Sequence, residues 1–265
     1  MEGNENLLFA FLITLFAGLS TGIGGALGVF TKKTNTKFLS FALGLSAGVM
    51  IYVSFVELFP QARELMEKTN PMQADLFITL AFFAGIAVIF IIDMLIPDDD
   101  NPHEIHKVEE LEKNHYSELK RIGIMTALAI AIHNFPEGIA TFATAMVSPD
   151  LAIPIAVAIA IHNIPEGIAV SIPIYYSTGN RSKAFWLSLS SGMAEPIGGL
   201  IGFLILSQFL NSFVLGAIMA GVAGIMVYIS VDELLPSAEK YGEHHYSIYG
   251  FITGMAIMAG SLLVL

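Results

Sequence analysis

Histidine, asparagine and glutamate come together twice in this chain. "AIHNFPEGIATF" covers residues 131–142 and "AIHNIPEGIAVS" covers residues 160–171. Across HN-PEGIA, seven of eight positions are identical. On a helix, residues four apart share a face, so His133 and Glu137 point the same way and Asn134 lies beside them. His162, Asn163 and Glu166 repeat the pattern. Imidazole nitrogens with amide and carboxylate oxygens make an N/O donor set for a divalent cation such as Zn²⁺, Fe²⁺, Mn²⁺ or Co²⁺. Pro136 and Pro165 cannot donate a hydrogen bond and clash with the carbonyls of Ile132 and Ile161, so each is expected to kink its helix. Gly138 and Gly167 then permit close approach of a neighbour. "SGMAEPIGG" adds a third acid, Glu195, beside Pro196. Three ionised carboxylates around one empty cavity would repel one another, so at least one is expected to hold a proton that an entering metal releases.

The surroundings make these residues costly. Of 265 residues 55 % are hydrophobic and only 13 % charged, and the mean hydropathy is +0.70. That is too apolar for an ordinary soluble domain, and the apolar segments recur along the whole length. The reading is an all-α integral membrane protein, one transport domain over 1–265. Eight transmembrane helices are expected at about 7–30, 38–60, 74–96, 120–146, 151–176, 183–207, 212–236 and 247–265, each long enough for a hydrocarbon core of about 30 Å. The first segment follows Glu2 and Glu5 rather than a basic stretch, and reads as a span rather than a signal peptide. A lone buried histidine or a proline kink needs no function. Two glutamates at mid-bilayer depth do, since each costs several kcal/mol unless paired or protonated.

Charge placement orients the chain. Lys32, Lys33, Lys37, Lys107, Lys113, Lys120, Arg121, Arg181, Lys183 and Lys240 fall on one set of loops, against Arg63 and Lys68 on the other. Positive charge stays in the cytoplasm, so both termini are expected outside a cell membrane. The hydrophilic stretch 97–118 reads as a solvated cytoplasmic loop; its Asp98, Asp99, Asp100, His103, His106 and His115 offer at most loose metal binding. The net charge of −11 gives no reason to expect nucleic acid. With no cysteine, disulfides and thiolate metal sites are excluded.

The chain also repeats itself. "MIYVSFVELFP" (50–60) matches "MVYISVDELLP" (226–236) at Met, Tyr, Ser, Glu, Leu and Pro. "FIT" at 77–79 recurs at 251–253, and Ala84-Gly85 recurs as Ala259-Gly260, so the offset between copies is nearly constant. Spans 1–3 thus correspond to spans 6–8 with opposite insertion, around the motif-bearing pair 4 and 5. This inverted 3+2+3 organisation places a site at the repeat interface near the midplane. Glu195 is an acid that the matching stretch of span 1 lacks. Glu57 and its counterpart Glu233, beside Asp232, are expected to mark the outer and inner mouths of a pathway.

The tandem "HNFPEG" and "HNIPEG", with "AEP" on the next span, resemble the ZIP (Zrt-, Irt-like) family of metal transporters, and most of all its bacterial ZupT-type subgroup. The resemblance covers the whole chain. It implies uptake of zinc, with iron, manganese and cobalt, into the cytoplasm and no cofactor, the metal being cargo. It also implies a two-metal centre at His133, Asn134, Glu137, His162, Asn163, Glu166 and Glu195, with Glu137 and Glu166 as bridging ligands. Divalent ions and the lipid bilayer are the partners called for; a homodimer is left open. The rival is a membrane di-metal carboxylate enzyme. Di-iron bundles use E-x-x-H and metalloproteases H-E-x-x-H, whereas the order here is H-x-x-x-E broken by proline. A passive channel is a third reading, since an interior potential of −100 mV alone favours a dication by roughly 4.6 kcal/mol.

Overall fold

The structure is a computed structural model that describes residues 2–30, 35–94, 115–147, 149–206, 211–240 and 244–264. All regular elements among them are helical. In chain order they are α1 (Glu2–Val29), α2 (Thr36–Val53), α3 (Phe59–Glu67), α4 (Ala74–Met94), α5 (His115–Val147), α6 (Pro149–Thr178), α7 (Arg181–Gly192), α8 (Ala194–Leu206), α9 (Ser212–Ile229), α10 (Leu235–Lys240) and α11 (His244–Val264). Of the hydrophilic stretch 97–118, residues 97–114 lie outside the described residues, and with them Asp98, Asp99, Asp100, His103 and His106. His115 to Glu118 open α5.

Among the described residues, six helical stretches are long and apolar enough to cross a membrane: Asn6–Val29, Thr36–Glu67, Ala74–Ile92, Arg181–Ile205, Ser212–Glu239 and His244–Leu263. Helices α5 and α6 are 33 and 30 residues long, or about 45–50 Å at 1.5 Å per residue. Both run without interruption through Pro136 and Pro165. Large apolar side chains such as Leu12, Leu80, Leu204 and Ile252 lie exposed on the outer faces of these helices, as lipid-facing residues do.

Local chemistry sets the helix ends. Asn35, Asn180 and Asn211 each sit in extended backbone and accept a hydrogen bond from the backbone N–H three residues on, at 3.1, 2.9 and 3.0 Å, so α2, α7 and α9 start on asparagine caps. Helix α6 stops at Gly179, whose N–H returns to the Tyr175 carbonyl at 2.8 Å and whose φ is +64°. Only glycine enters that left-handed region without penalty. Gly179→Ala is therefore expected to destabilise the fold by about 1–2 kcal/mol although nothing lies within 4 Å of the added methyl. Gly260, equally open but with ordinary helical backbone, is expected to accept alanine with no loss and a gain of up to about 1 kcal/mol. Thermal unfolding of the purified protein measures both.

Two wide turns interrupt otherwise continuous helices. Ser54–Leu58 joins α2 to α3 and Ser230–Leu234 joins α9 to α10, each wound as a π-helix. The N–H of Phe59 reaches back five residues to Ser54, and that of Leu235 to Ser230. Pro60 and Pro236 stand two residues beyond the turn ends; their rings cannot donate and would crowd a carbonyl four residues back, inside the turn, and one extra residue in the turn relieves the crowding. Ser54 and Ser230 steady the turns by donating to the carbonyls of Met50 and Met226, each at 2.7 Å. Glu57 sits in the first turn and Glu233 in the second.

Helix α1 packs mainly on α6, α8 on α5, α2 on α11 and α4 on α9, while α5 and α6 lie against each other at the centre. The largest apolar cluster, including Leu43, Met50, Val53, Val222 and Met226, ties α2 and α9 to that central pair.

Candidate metal centre

At mid-length the central pair carries its polar residues inward. His133, Asn134, Glu137, His162, Asn163, Glu166 and Glu195 are all at most 2 % exposed. The histidines do not turn to the glutamate of their own helix. His133 Nε2 lies 3.1 Å from Glu166 Oε1, and His162 Nε2 lies 3.0 Å from Glu137 Oε1. Each pair bridges α5 and α6, so the antiparallel helices are crossed by two imidazole–carboxylate ties.

The asparagines act in parallel. Asn134 donates to the Ser191 carbonyl at 3.3 Å and Asn163 to the Ala17 carbonyl at 3.0 Å, fastening α5 to α7 and α6 to α1. Asn163 also donates to Glu195 Oε2 at 2.9 Å, which draws the third acid to the same centre.

Glu195 owes its place to a break that its sequence segment did not suggest. The expected span 183–207 is split at Met193 into α7 and α8. Pro196 has no N–H for the Gly192 carbonyl, and that carbonyl lies instead against Gly18 of α1. Close approach matters again one layer away. A methyl on Gly138 would overlap the backbone carbonyl of Glu195, and one on Gly167 that of Thr21. The glycine after each motif is thus what lets α8 and α1 reach the central pair.

Seven buried donor atoms are left over. His133 Nδ1, Asn134 Oδ1, Glu137 Oε2, His162 Nδ1, Asn163 Oδ1, Glu166 Oε2 and Glu195 Oε1 have no hydrogen-bond partner among the described residues. An unsatisfied buried polar atom costs about 1–3 kcal/mol. Every member of the constellation carries one such atom. As they stand, no three His, Asp or Glu side chains among the described residues converge tightly enough to hold a metal. The four motif residues are tied in crossed pairs, and those ties would have to open first.

Glu57 lines a cavity together with Glu137 and His162; Gln61, Thr141 and Thr144 line it too. Sequence reading did not single out the last three. Thr141 and Thr144 follow Glu137 at i+4 and i+7, a spacing that places them on its face. Threonine in an apolar helix commonly bonds its own backbone, so the spacing alone carried no signal. Glu233 is buried within its own turn on α9's continuation.

The model of the ZIP zinc transporters matches residues 5–93 and 97–262. The chain belongs to the ZIP zinc transporter family. ZIP relatives described as "Zinc transporter ZupT" match it end to end. That of Clostridium perfringens is 55 % identical and covers 100 % of this chain and 99 % of its own length. That of Streptococcus mutans is 56 % identical over 98 % of this chain and 99 % of its own. That of Oceanobacillus iheyensis is 57 % identical with the same coverage. A ZIP protein is a membrane transporter and not an enzyme, so the di-metal oxidase and protease alternatives fall. It needs no cofactor; its metal is cargo. With its long apolar helices the chain is a multi-pass membrane protein.

Proposed function

We propose that the chain carries Zn²⁺, and with it Fe²⁺, Mn²⁺ and Co²⁺, across the cytoplasmic membrane into the cytoplasm through the seven-residue centre. Eight crossings are assigned, α5 and α6 being the fourth and fifth, with both termini outside. The observation that carries the reading is the pair of crossed imidazole–carboxylate ties surrounded by seven unpartnered N and O donors.

Exchange chemistry follows from the ties. Each imidazole–carboxylate pair can share one proton. A dication that displaces two such protons leaves the buried charge unchanged, which avoids the several kcal/mol per ion of adding net charge to the interior. The imidazoles and carboxylates then turn from each other to the metal, and Asn134, Asn163 and Glu195 complete its donors. Glu137 and Glu166, each with one oxygen engaged and one spare, suit bridging of two ions.

The inverted repeat is supported by contacts that recur under exchange of halves. Ala17 and Ser191, which accept from the two asparagines, stand at matching positions of the two copies. Gly24 approaches the Ile164 carbonyl as Gly198, its counterpart, approaches that of Phe135. The two serine-led wide turns sit at matched positions, and the pairing of α1 with α6 and α2 with α11 becomes that of α8 with α5 and α9 with α4. Glu195 breaks the pattern, with Thr21 at the equivalent place.

The test is flux. Full-length protein is reconstituted in liposomes loaded with a metal-sensing dye and a pH indicator, and Zn²⁺, Fe²⁺, Mn²⁺ or Co²⁺ is added outside. Saturable, strongly temperature-dependent uptake with protons moving the opposite way is the expected result. Flux that neither saturates nor moves protons would replace the carrier with a passive pore.

A further inference from the structure

Between the Ser54–Leu58 turn, α5, α6 and α9 lies a cavity of about 20 Å³. Its polar lining is Glu57, Gln61, Glu137, Thr141, Thr144 and His162; the rest, including Val53, Ile159, Met219 and Val222, is apolar. Glu137 and His162 form one end, tied to each other at 3.0 Å with Glu137 Oε2 buried and unpartnered. Glu57 contributes a second buried oxygen, Oε2, without a partner. Thr144 donates its hydroxyl proton to the Ala140 carbonyl at 2.9 Å, which leaves its oxygen lone pairs for a cation.

Two features set this lining apart from the central constellation. The repeat does not generate it: the positions on α6 equivalent to Thr141 and Thr144 are Val170 and Pro173. Nearly all its donors beyond Glu137 and His162 are oxygens, from carboxylate, amide and hydroxyl groups. A space of about 20 Å³ admits a single water-sized particle. A dication with its full hydration shell does not fit, and any ion inside must exchange waters for protein oxygens.

The geometry points to a dehydrating station for divalent cations at Glu57, Gln61, Thr141 and Thr144, on the approach to the Glu137–His162 pair. Here the ion trades water for oxygen ligands before imidazole nitrogen becomes available. The station favours dications that exchange water readily and resists Mg²⁺, which dehydrates reluctantly. The inference rests on the reading of the central constellation as the cargo site, and assigns the step before it.

Uptake kinetics on the full chain in dye-loaded liposomes separate the two. Glu57→Gln is expected to raise the apparent KM for Zn²⁺ about tenfold, with the effect falling on KM rather than on maximal rate. Thr144→Val, nearly isosteric, should raise KM about threefold, and Gln61→Glu, which adds a carboxylate to the station, should lower it. Unchanged KM in all three overturns the station, as does a fall in maximal rate at constant KM, which would mark a purely structural role. Should Glu57→Gln fail to fold, Gln61→Glu and Thr144→Val decide by the same criteria. Glu137→Ala run alongside tests the cargo site. Because Glu137 also closes one end of the cavity, the station is judged on the other three variants only: full flux in Glu137→Ala sinks the central reading, while a KM shift in the other three still supports ion binding at the station.

Discussion

Zn²⁺ uptake by Glu137→Ala should fall at least a hundredfold below that of the unaltered chain. The change removes the carboxylate that faces His162 at 3.0 Å in a site at most 2 % exposed. A charge-assisted contact to the ion worth about 3 kcal/mol, lost in the rate-limiting step, is about a hundredfold in rate, since each 1.36 kcal/mol is a factor of ten. The same change deletes the spare oxygen, Oε2, that a second metal would use. Glu137→Gln keeps the shape and the hydrogen bond to His162 but loses the charge, so it should fold as a monodisperse species and still fail to transport. The measurement is the initial rate of radioactive zinc accumulation in proteoliposomes, over limiting and saturating zinc. Retention of more than a tenth of the rate by either variant would remove Glu137 from the pathway.

The second large effect concerns packing. Gly138→Ala should lower stability by about 3 kcal/mol, the upper end of what overpacking costs. The added methyl would meet not a flexible side chain but the backbone carbonyl, carbon and Cα of Glu195. Helices α5 and α8 would have to separate, carrying Glu195 away from Asn163, which it meets at 2.9 Å. Zinc uptake should fall with the stability, and Gly167→Ala, which would strike Thr21 on α1, should behave alike. A midpoint of thermal unfolding within one or two degrees of the unaltered protein would show that these helices can part freely.

The motif, the proline positions and the odd acid of the sixth apolar segment were legible from residues alone. Four-residue spacing puts His133 and Glu137 on one face whatever the surroundings, because helical geometry is local. Glu195 stood out because the matching stretch of the first segment has no acid. The prolines were legible as positions, and their effects on helix continuity differ. Pro136 and Pro165 leave their helices unbroken, whereas Pro196 and the prolines after the two serine-led turns coincide with a split and two π-turns. Whether a proline is absorbed or breaks its helix depends on what else the freed carbonyl can touch. For Gly192 that is Gly18, on the first helix of the chain.

By itself the sequence determined that the chain is helical and apolar, that two identical donor sets lie inside it, and that its halves resemble each other. These follow from composition and period, which each short segment carries alone. Only the tertiary structure decided that His133 meets Glu166 and His162 meets Glu137, that Asn163 draws in Glu195, and that Glu57 shares a cavity with the central pair. The crossed pairs depend on how α5 and α6 lie together, and the reach of Glu195 to Asn163 on how closely α8 approaches α5 at Gly138, quantities summed over contacts between distant segments. No single helix holds that information.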